Sequence, residues 1–214
     1  MTCTVHEFAD SLLKGNQDAA WNIVMNEVGH DINRKDVLEN LITKAMQYIG
    51  ELWENDEITV ADEHLATSTC EYILVRFDFY MKNIHRFHQI EPRKVMLLCL
   101  EKEQHDLGIK MVAQLFEENG WNTRLLGPNL PLEEAVRFAK KWEPDVIGLS
   151  FSIWYHAELL TTYSKALEEL PHKPAVIVGG RLLGNYDFSP YVSSRTTLFT
   201  SLSDLQEWIK QYSI

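Results

Sequence analysis

Apolar positions along the chain change their period once, near residue 90, and the change divides the sequence into two parts. Before it, the spacing is helical. Val5, Phe8, Ala9, Leu12 and Leu13 fall on one face of a first helix, which Gly15-Asn16 interrupts. A second helix, from Asp18 to about Asn26, would bury Ala19, Ala20, Ile23 and Val24. Asp36 reads as the N-cap of a third helix, with Val37, Leu38, Leu41, Ile42, Ala45, Met46 and Ile49 at helical spacing as far as Trp53 and a turn at Asn55-Asp56. Thr59 or Asp62 caps a fourth, in which Leu65, Ala66, Tyr72, Ile73, Val75 and Phe79 are expected near one face. Four such segments with short connections predict a helical bundle over residues 1–88.

Beyond Pro92, which forces extended backbone ahead of the first strand, strands and helices alternate. The apolar runs 94–100, 123–126, 146–150, 175–178 and 197–200 read as strands, the first of them a buried strand bounded by charged residues. Helices are expected at about 107–119, ended by Gly120, and at 132–142, 157–170 and 203–212. The fold class is therefore α/β with an N-terminal all-α part: a four-helix bundle, then a flavodoxin-like, doubly wound, five-stranded parallel sheet over residues 92–214.

Charge and composition narrow the function. A net charge of −11 argues against holding a phosphate backbone, so no direct nucleic-acid partner is expected. No apolar run approaches the roughly 20 residues that span a bilayer, and the N-terminus lacks the basic and apolar regions of a signal peptide, so no membrane partner is expected. Cys3, Cys70 and Cys99 are odd in number and widely spaced, which suits a reducing cytoplasm better than a disulfide framework.

The densest candidate chemistry follows the first strand, where Glu103-Gln104-His105-Asp106-Leu107-Gly108 occupies a strand-to-helix turn at the carboxyl end of the sheet, the place where open α/β sheets bind ligands. His105 could offer one ring nitrogen to a metal while a flanking carboxylate, Glu103 or Asp106, holds the other; equally, it could be a solvated loop histidine. Two further loops reach the same crevice, Ser150-Phe151-Ser152 after the third strand and Gly179-Gly180 after the fourth. Glycines let a large ligand approach the backbone, and serines can donate to it.

In this order and spacing the three loops resemble the cobalamin-binding domain shared by methionine synthase, corrinoid methyl carriers and cobalamin-dependent mutases. That family carries an Asp-x-His-x-x-Gly loop whose histidine is the lower axial ligand of cobalt, and a Ser-x-Leu segment and a Gly-Gly pair that line the slot for the displaced nucleotide tail. The resemblance implies His105 as cobalt ligand and Glu103, Asp106, Gly108, Ser150, Ser152, Gly179 and Gly180 as cofactor-binding residues. Two positions depart from the pattern: Glu103 stands where the family has Asp, and Ser152 where it has Leu.

The helical part adds Trp53 followed by nine residues and then Glu63-His64. This spacing, ahead of a cobalamin-type domain, resembles the cobalamin-dependent photoreceptor regulators of the light-inducible MerR type. The resemblance implies that residues 1–88 cap the upper face of cobalamin (adenosylcobalamin or methylcobalamin), with Trp53, Val60, Glu63 and His64 around the upper axial group. Those regulators begin with a DNA-binding helix-turn-helix, for which this chain has no room, and carry a histidine immediately after the tryptophan, where this chain has Glu54. The expectation is a cobalamin sensor rather than an enzyme, acting through self-association or a protein partner. The alternatives are a corrinoid methyl carrier of a methyltransferase system and a flavodoxin-like domain without a corrin. His85 and His88 share the spacing of a metal pair without a third ligand, and Trp154-Tyr155-His156 could touch the corrin edge or simply begin a helix.

Overall fold

The computed structural model describes residues 2–28, 33–84, 93–154 and 157–212. It divides into two compact units, Met1–Arg86 and Phe87–Ile214.

Helices α1 (Thr2–Leu13) and α2 (Gln17–Val28) open the first unit. A continuous helical run follows: α3 (Arg34–Asp36), a π-helical stretch Val37–Thr43, and α4 (Lys44–Glu54). Asp36 is therefore not the N-cap. Its backbone is already right-handed helical, and the extended residue ahead of the helix is Asn33. The run starts early because Arg34, only 3% exposed, is pulled inward by an ion pair to Asp78 at 2.6 Å.

α5 (Val60–Ile84) is the longest helix of the unit. Its buried face is Ala66, Thr69, Cys70, Ile73, Leu74, Phe77 and Met81. Only two of the six residues expected on that face are buried. Ala66 and Ile73 are buried, but Leu65, Tyr72, Val75 and Phe79 are 46%, 45%, 68% and 70% exposed. The helix is apolar on two sides, so periodicity could not tell which side the core takes.

The second unit is a sheet in the order β2-β1-β3-β4-β5, every pairing parallel, built from β1 (Lys94–Cys99), β2 (Asn122–Gly127), β3 (Val146–Ser150), β4 (Ala175–Gly179) and β5 (Thr197–Phe199). This is the flavodoxin-like order, and its switch point lies between β1 and β3. The connecting helices are α6 (Leu107–Glu118), α7 (Leu132–Trp142), α8 (Ala157–Glu168) and α9 (Leu202–Tyr212). Met96, Leu98, Ile147, Leu149, Val176 and Val178 pack in one core with Ala135, Ala139, Leu160, Tyr163 and Leu167 of α7 and α8. α6 ends as expected: Gly120 takes φ 79°, and the Gly120 and Trp121 amides donate back to the carbonyls of Glu117 and Phe116.

Asp78 also receives Lys82 at 2.7 Å, but Arg34 is the buried partner. Replacing Asp78 with Asn removes the anion facing that guanidinium and should destabilise the helical unit by about 3 kcal/mol, measured as a lower urea midpoint by far-ultraviolet circular dichroism.

Candidate functional site

The turn between β1 and α6 is held by one carboxylate. Glu103 has no exposed side-chain surface, and both of its oxygens are engaged. Oε1 accepts the His105 backbone N–H at 2.9 Å and lies 2.6 Å from His105 Nδ1. Oε2 accepts the Ser152 backbone N–H at 2.6 Å and the Ser152 hydroxyl at 2.8 Å. Ser152 Oγ also lies 3.0 Å from His105 Nδ1. With the Nδ1 proton directed at a carboxylate, the ring's basic lone pair belongs to Nε2. The His105 side chain remains 67% exposed.

Burial alone would raise the Glu103 carboxyl. The hydrogen bonds from the ring and backbone of His105 and from the backbone and hydroxyl of Ser152 outweigh it and hold the group at about 2, against an ordinary 4.5. Asp106, the other candidate holder of His105, pairs instead with Lys110 at 2.8 Å.

Neighbouring residues brace the turn. The Lys102 amide donates to Asn129 Oδ1 at 2.8 Å, and the Asn129 amide donates to the Glu103 carbonyl at 2.9 Å. Lys102 and Asn129 both adopt left-handed backbone, with φ of 69° and 52°. Tyr163 of α8 accepts from the Glu101 amide at 3.3 Å and donates to the Leu130 carbonyl at 2.6 Å. Asn129 and Tyr163 escaped the sequence reading; Gly127-Pro128-Asn129 advertised a turn, but nothing local marked Tyr163.

Ser150, at the end of β3, lies between Cys99 and Gly179 in the sheet register. A Cβ added at Gly108 or Gly179 would meet nothing within 4 Å, which leaves space beside the backbone at both. Gly180 differs: its Cβ would sit 2.0 Å from the Phe151 carbonyl oxygen. Its φ of 163° is ordinary extended backbone, so the need for glycine here is steric. Trp154, 44% exposed, stacks edge-on with Tyr186 at 4.9 Å and lies near Phe188 at 5.2 Å. Tyr155, His156, His85 and His88 lie outside the described residues.

In the helical unit, caps fix the spacing of the second motif. α4 closes with Asp56 in left-handed backbone at φ 58°, while the Asp56 and Glu57 amides donate to the carbonyls of Trp53 and Leu52. Two residues on, Thr59 and Asp62 form a reciprocal cap: the Asp62 amide donates to Thr59 Oγ1 at 3.2 Å, and Asp62 Oδ2 accepts the Thr59 amide at 2.8 Å and its hydroxyl at 2.6 Å. Of the two capping candidates, Thr59 is the cap and Asp62 its partner. The pair places Trp53 (46% exposed) near the end of one helix and Val60 (54%) at the start of the next. Glu63 accepts the Thr67 hydroxyl at 2.9 Å, and the His64 side chain is 75% exposed.

Among the described residues, no cluster of three or more His, Cys, Asp or Glu could hold a metal. A single oriented imidazole instead suits a metal that arrives with its equatorial ligands in place, as cobalt does in a corrin. The open backbone at Gly108 and Gly179 suits a bulky ligand too, so these residues fit a corrinoid.

Comparison with known proteins agrees. Residues 93–186 match the B12 binding domain family, and residues 4–76 match a second family of the same description. The chain is 28% identical over 158 residues, 73% of its length, to the HTH-type transcriptional repressor CarH of Myxococcus xanthus, and spans about half of it (51%). Its fold is similar to a Methanosarcina barkeri monomethylamine corrinoid protein, with TM-score 0.74 at 15% identity over 99% of each chain. It is similar as well to a chain of the methanol:cobalamin methyltransferase complex of the same organism, with TM-score 0.52 at 17% identity over 98% of this chain and 79% of that one. The flavodoxin-like sheet carries its carboxylate-held histidine at the switch point, within the residues that match the B12 binding domain. The chain belongs to the B12-binding domain family, and its cofactor is cobalamin.

Two outcomes follow from this geometry. Gly180→Ala drives a methyl into the Phe151 carbonyl and should displace that loop, weakening cobalamin binding by at least about tenfold in a spectroscopic titration. The folded value of Glu103 lies below the unfolded one, so its stabilisation is complete above about pH 4.5 and is lost as pH falls towards about 2. In the protein without cobalamin, the difference in Tm between wild type and Glu103→Gln should shrink as pH falls from about 4.5 towards about 2.

Proposed function

We propose that the protein is a cobalamin-binding regulator that reports the state of the upper axial ligand through protein association. The observation that carries this reading is the exposed, cap-fixed motif of the helical unit. Trp53 and Val60 leave about half of their apolar surface uncovered, beside Glu63 and His64. A flat indole and a valine suit the apolar faces of an upper ligand, and a carboxylate held by Thr67 suits its hydroxyls. The likeness to CarH supports the same reading. Cobalamin itself supplies a cobalt–carbon bond that visible light or a nucleophile can break.

In this scheme His105, oriented by Glu103, holds cobalt from below. Trp53, Val60 and Glu63 contact the upper group only while it is present. The helical unit therefore has different contacts in two states, and its association with itself or an output protein follows. Glu54, in place of a histidine, leaves that position without an imidazole to ligate cobalt afterwards.

The second reading is a corrinoid methyl carrier, favoured by a fold shared along almost the whole chain with the monomethylamine corrinoid protein. Visible spectra and gel-filtration elution of the protein with adenosyl- and methylcobalamin, in darkness and after green light, separate the two. An elution volume that changes with light supports the regulator; a fixed assembly under every condition favours the carrier. Trp53→Ala should weaken adenosylcobalamin binding about tenfold while leaving hydroxocobalamin binding within about twofold.

A further inference from the structure

Helix α5 has a second apolar face that the core does not use. Apart from His64, every exposed residue from Ala61 to Phe79 belongs to one series: Ala61, Leu65, Ser68, Tyr72, Val75 and Phe79. The steps alternate between four and three residues, the heptad spacing of a seam that packs along another helix. The core face, with Ala66, Cys70, Ile73 and Phe77, lies on the far side. A contiguous stripe of this kind marks an interaction surface, as scattered exposed apolar residues do not. We propose that the seam pairs with the same seam of a second copy of the chain, antiparallel, about a twofold axis level with residue 70. The inference concerns α5 alone and stands under either reading of the function.

Side-chain size decides the direction. Leu65, Tyr72 and Phe79 are large, and Ala61, Ser68 and Val75, which alternate with them, are smaller. Parallel copies in register would set large on large and leave Ala61 and Ser68 facing themselves. Antiparallel copies set Phe79 on the partner's Ala61, Tyr72 on the partner's Ser68 and Leu65 on the partner's Val75, and one register satisfies all three pairs with their symmetry mates. Charge agrees with that register. Asp62 comes beside the partner's Arg76 on one flank of the seam, twice over by symmetry. Arg76 lies over the Trp21 ring, 4.2 Å from its centroid, which holds the guanidinium at that flank. On the other flank Glu71 meets the partner's Glu71 beside the axis, a like-charge contact that weakens the pair. Leu65, Tyr72, Val75 and Phe79 each leave on the order of 100 Å² uncovered. With the flanking residues, two copies bury on the order of 1,000 Å², the lower bound for a specific interface. The pair is therefore a reversible dimer, not an obligate one.

The test is sedimentation velocity of the full chain without cobalamin, from about 1 to about 200 μM. Wild type should show a monomer–dimer equilibrium within that range. Phe79→Glu and, separately, Val75→Glu should weaken it at least about tenfold, and Glu71→Gln should strengthen it about twofold. Circular dichroism and melting check that each variant is folded, and two glutamate variants keep the test decisive if one is not. Cross-linking reads the direction. In a Cys3→Ser background treated with a short bismaleimide, Ala61→Cys should join Asn83→Cys of another chain. Ala61→Cys alone should not dimerise covalently, because its two copies lie about 27 Å apart along the helix axis; parallel pairing gives the opposite result. A monomer at every concentration, an unaltered equilibrium in both folded glutamate variants, or Ala61→Cys cross-linked to itself would overturn the proposal. None of these outcomes depends on cobalamin, so failure here is distinct from failure of the ligand assignment or of the regulator.

Discussion

A carboxylate without exposed side-chain surface, Glu103, sets the terms for the carboxyl end of the sheet. Such a group survives only with its lone pairs occupied, and the molecule supplies donors from both sides. His105 contributes ring and backbone, and Ser152 contributes backbone and hydroxyl. The first loop and the third-strand loop are thereby tied through a single residue. The brace continues outward through Asn129 to the second-strand loop and through Tyr163 to α8. An imidazole on this support keeps its tautomer and direction in the absence of any metal, which is the preorganisation a tight axial ligand needs.

The helical unit solves a different problem, that of keeping two short stretches of sequence in fixed register across a turn. A left-handed Asp56 closes one helix and the Thr59–Asp62 cap opens the next, so the nine residues after Trp53 are mostly committed to chain reversal. The motif's spacing is the length of that reversal, with Val60, Glu63 and His64 on the first turn of the following helix.

The sheet was readable in the sequence because β1, β3 and β4 are buried on both faces and the helices on one, which gives two distinct periods. The strand-to-helix turn bearing His105 followed from that alternation. α5 was legible as a helix but not in its orientation, since Leu65, Tyr72, Val75 and Phe79 form an apolar stripe competing with the true core face. Arg34 explains the misplaced start of the third helix: a charged residue at a helix start reads as surface until its partner, 44 residues away, is known. The Glu103–Ser152 contact was hidden for the same reason. Hydrogen bonds between loops far apart in sequence leave no periodic trace, and each residue alone read as a departure from a pattern.

The three cysteines are unequal. Burial pushes the Cys70 thiol up to about 12, and burial with the nearby charges of Asp106 and Glu103 does the same for Cys99. Cys99 lies directly beneath the loop, its sulfur 3.6 Å from the His105 carbonyl oxygen. At neutral pH it is a thiol rather than a thiolate. Cys3, on α1, is exposed. The unaltered protein thus carries a single accessible attachment point for a thiol-directed fluorophore, and it lies on the helical unit.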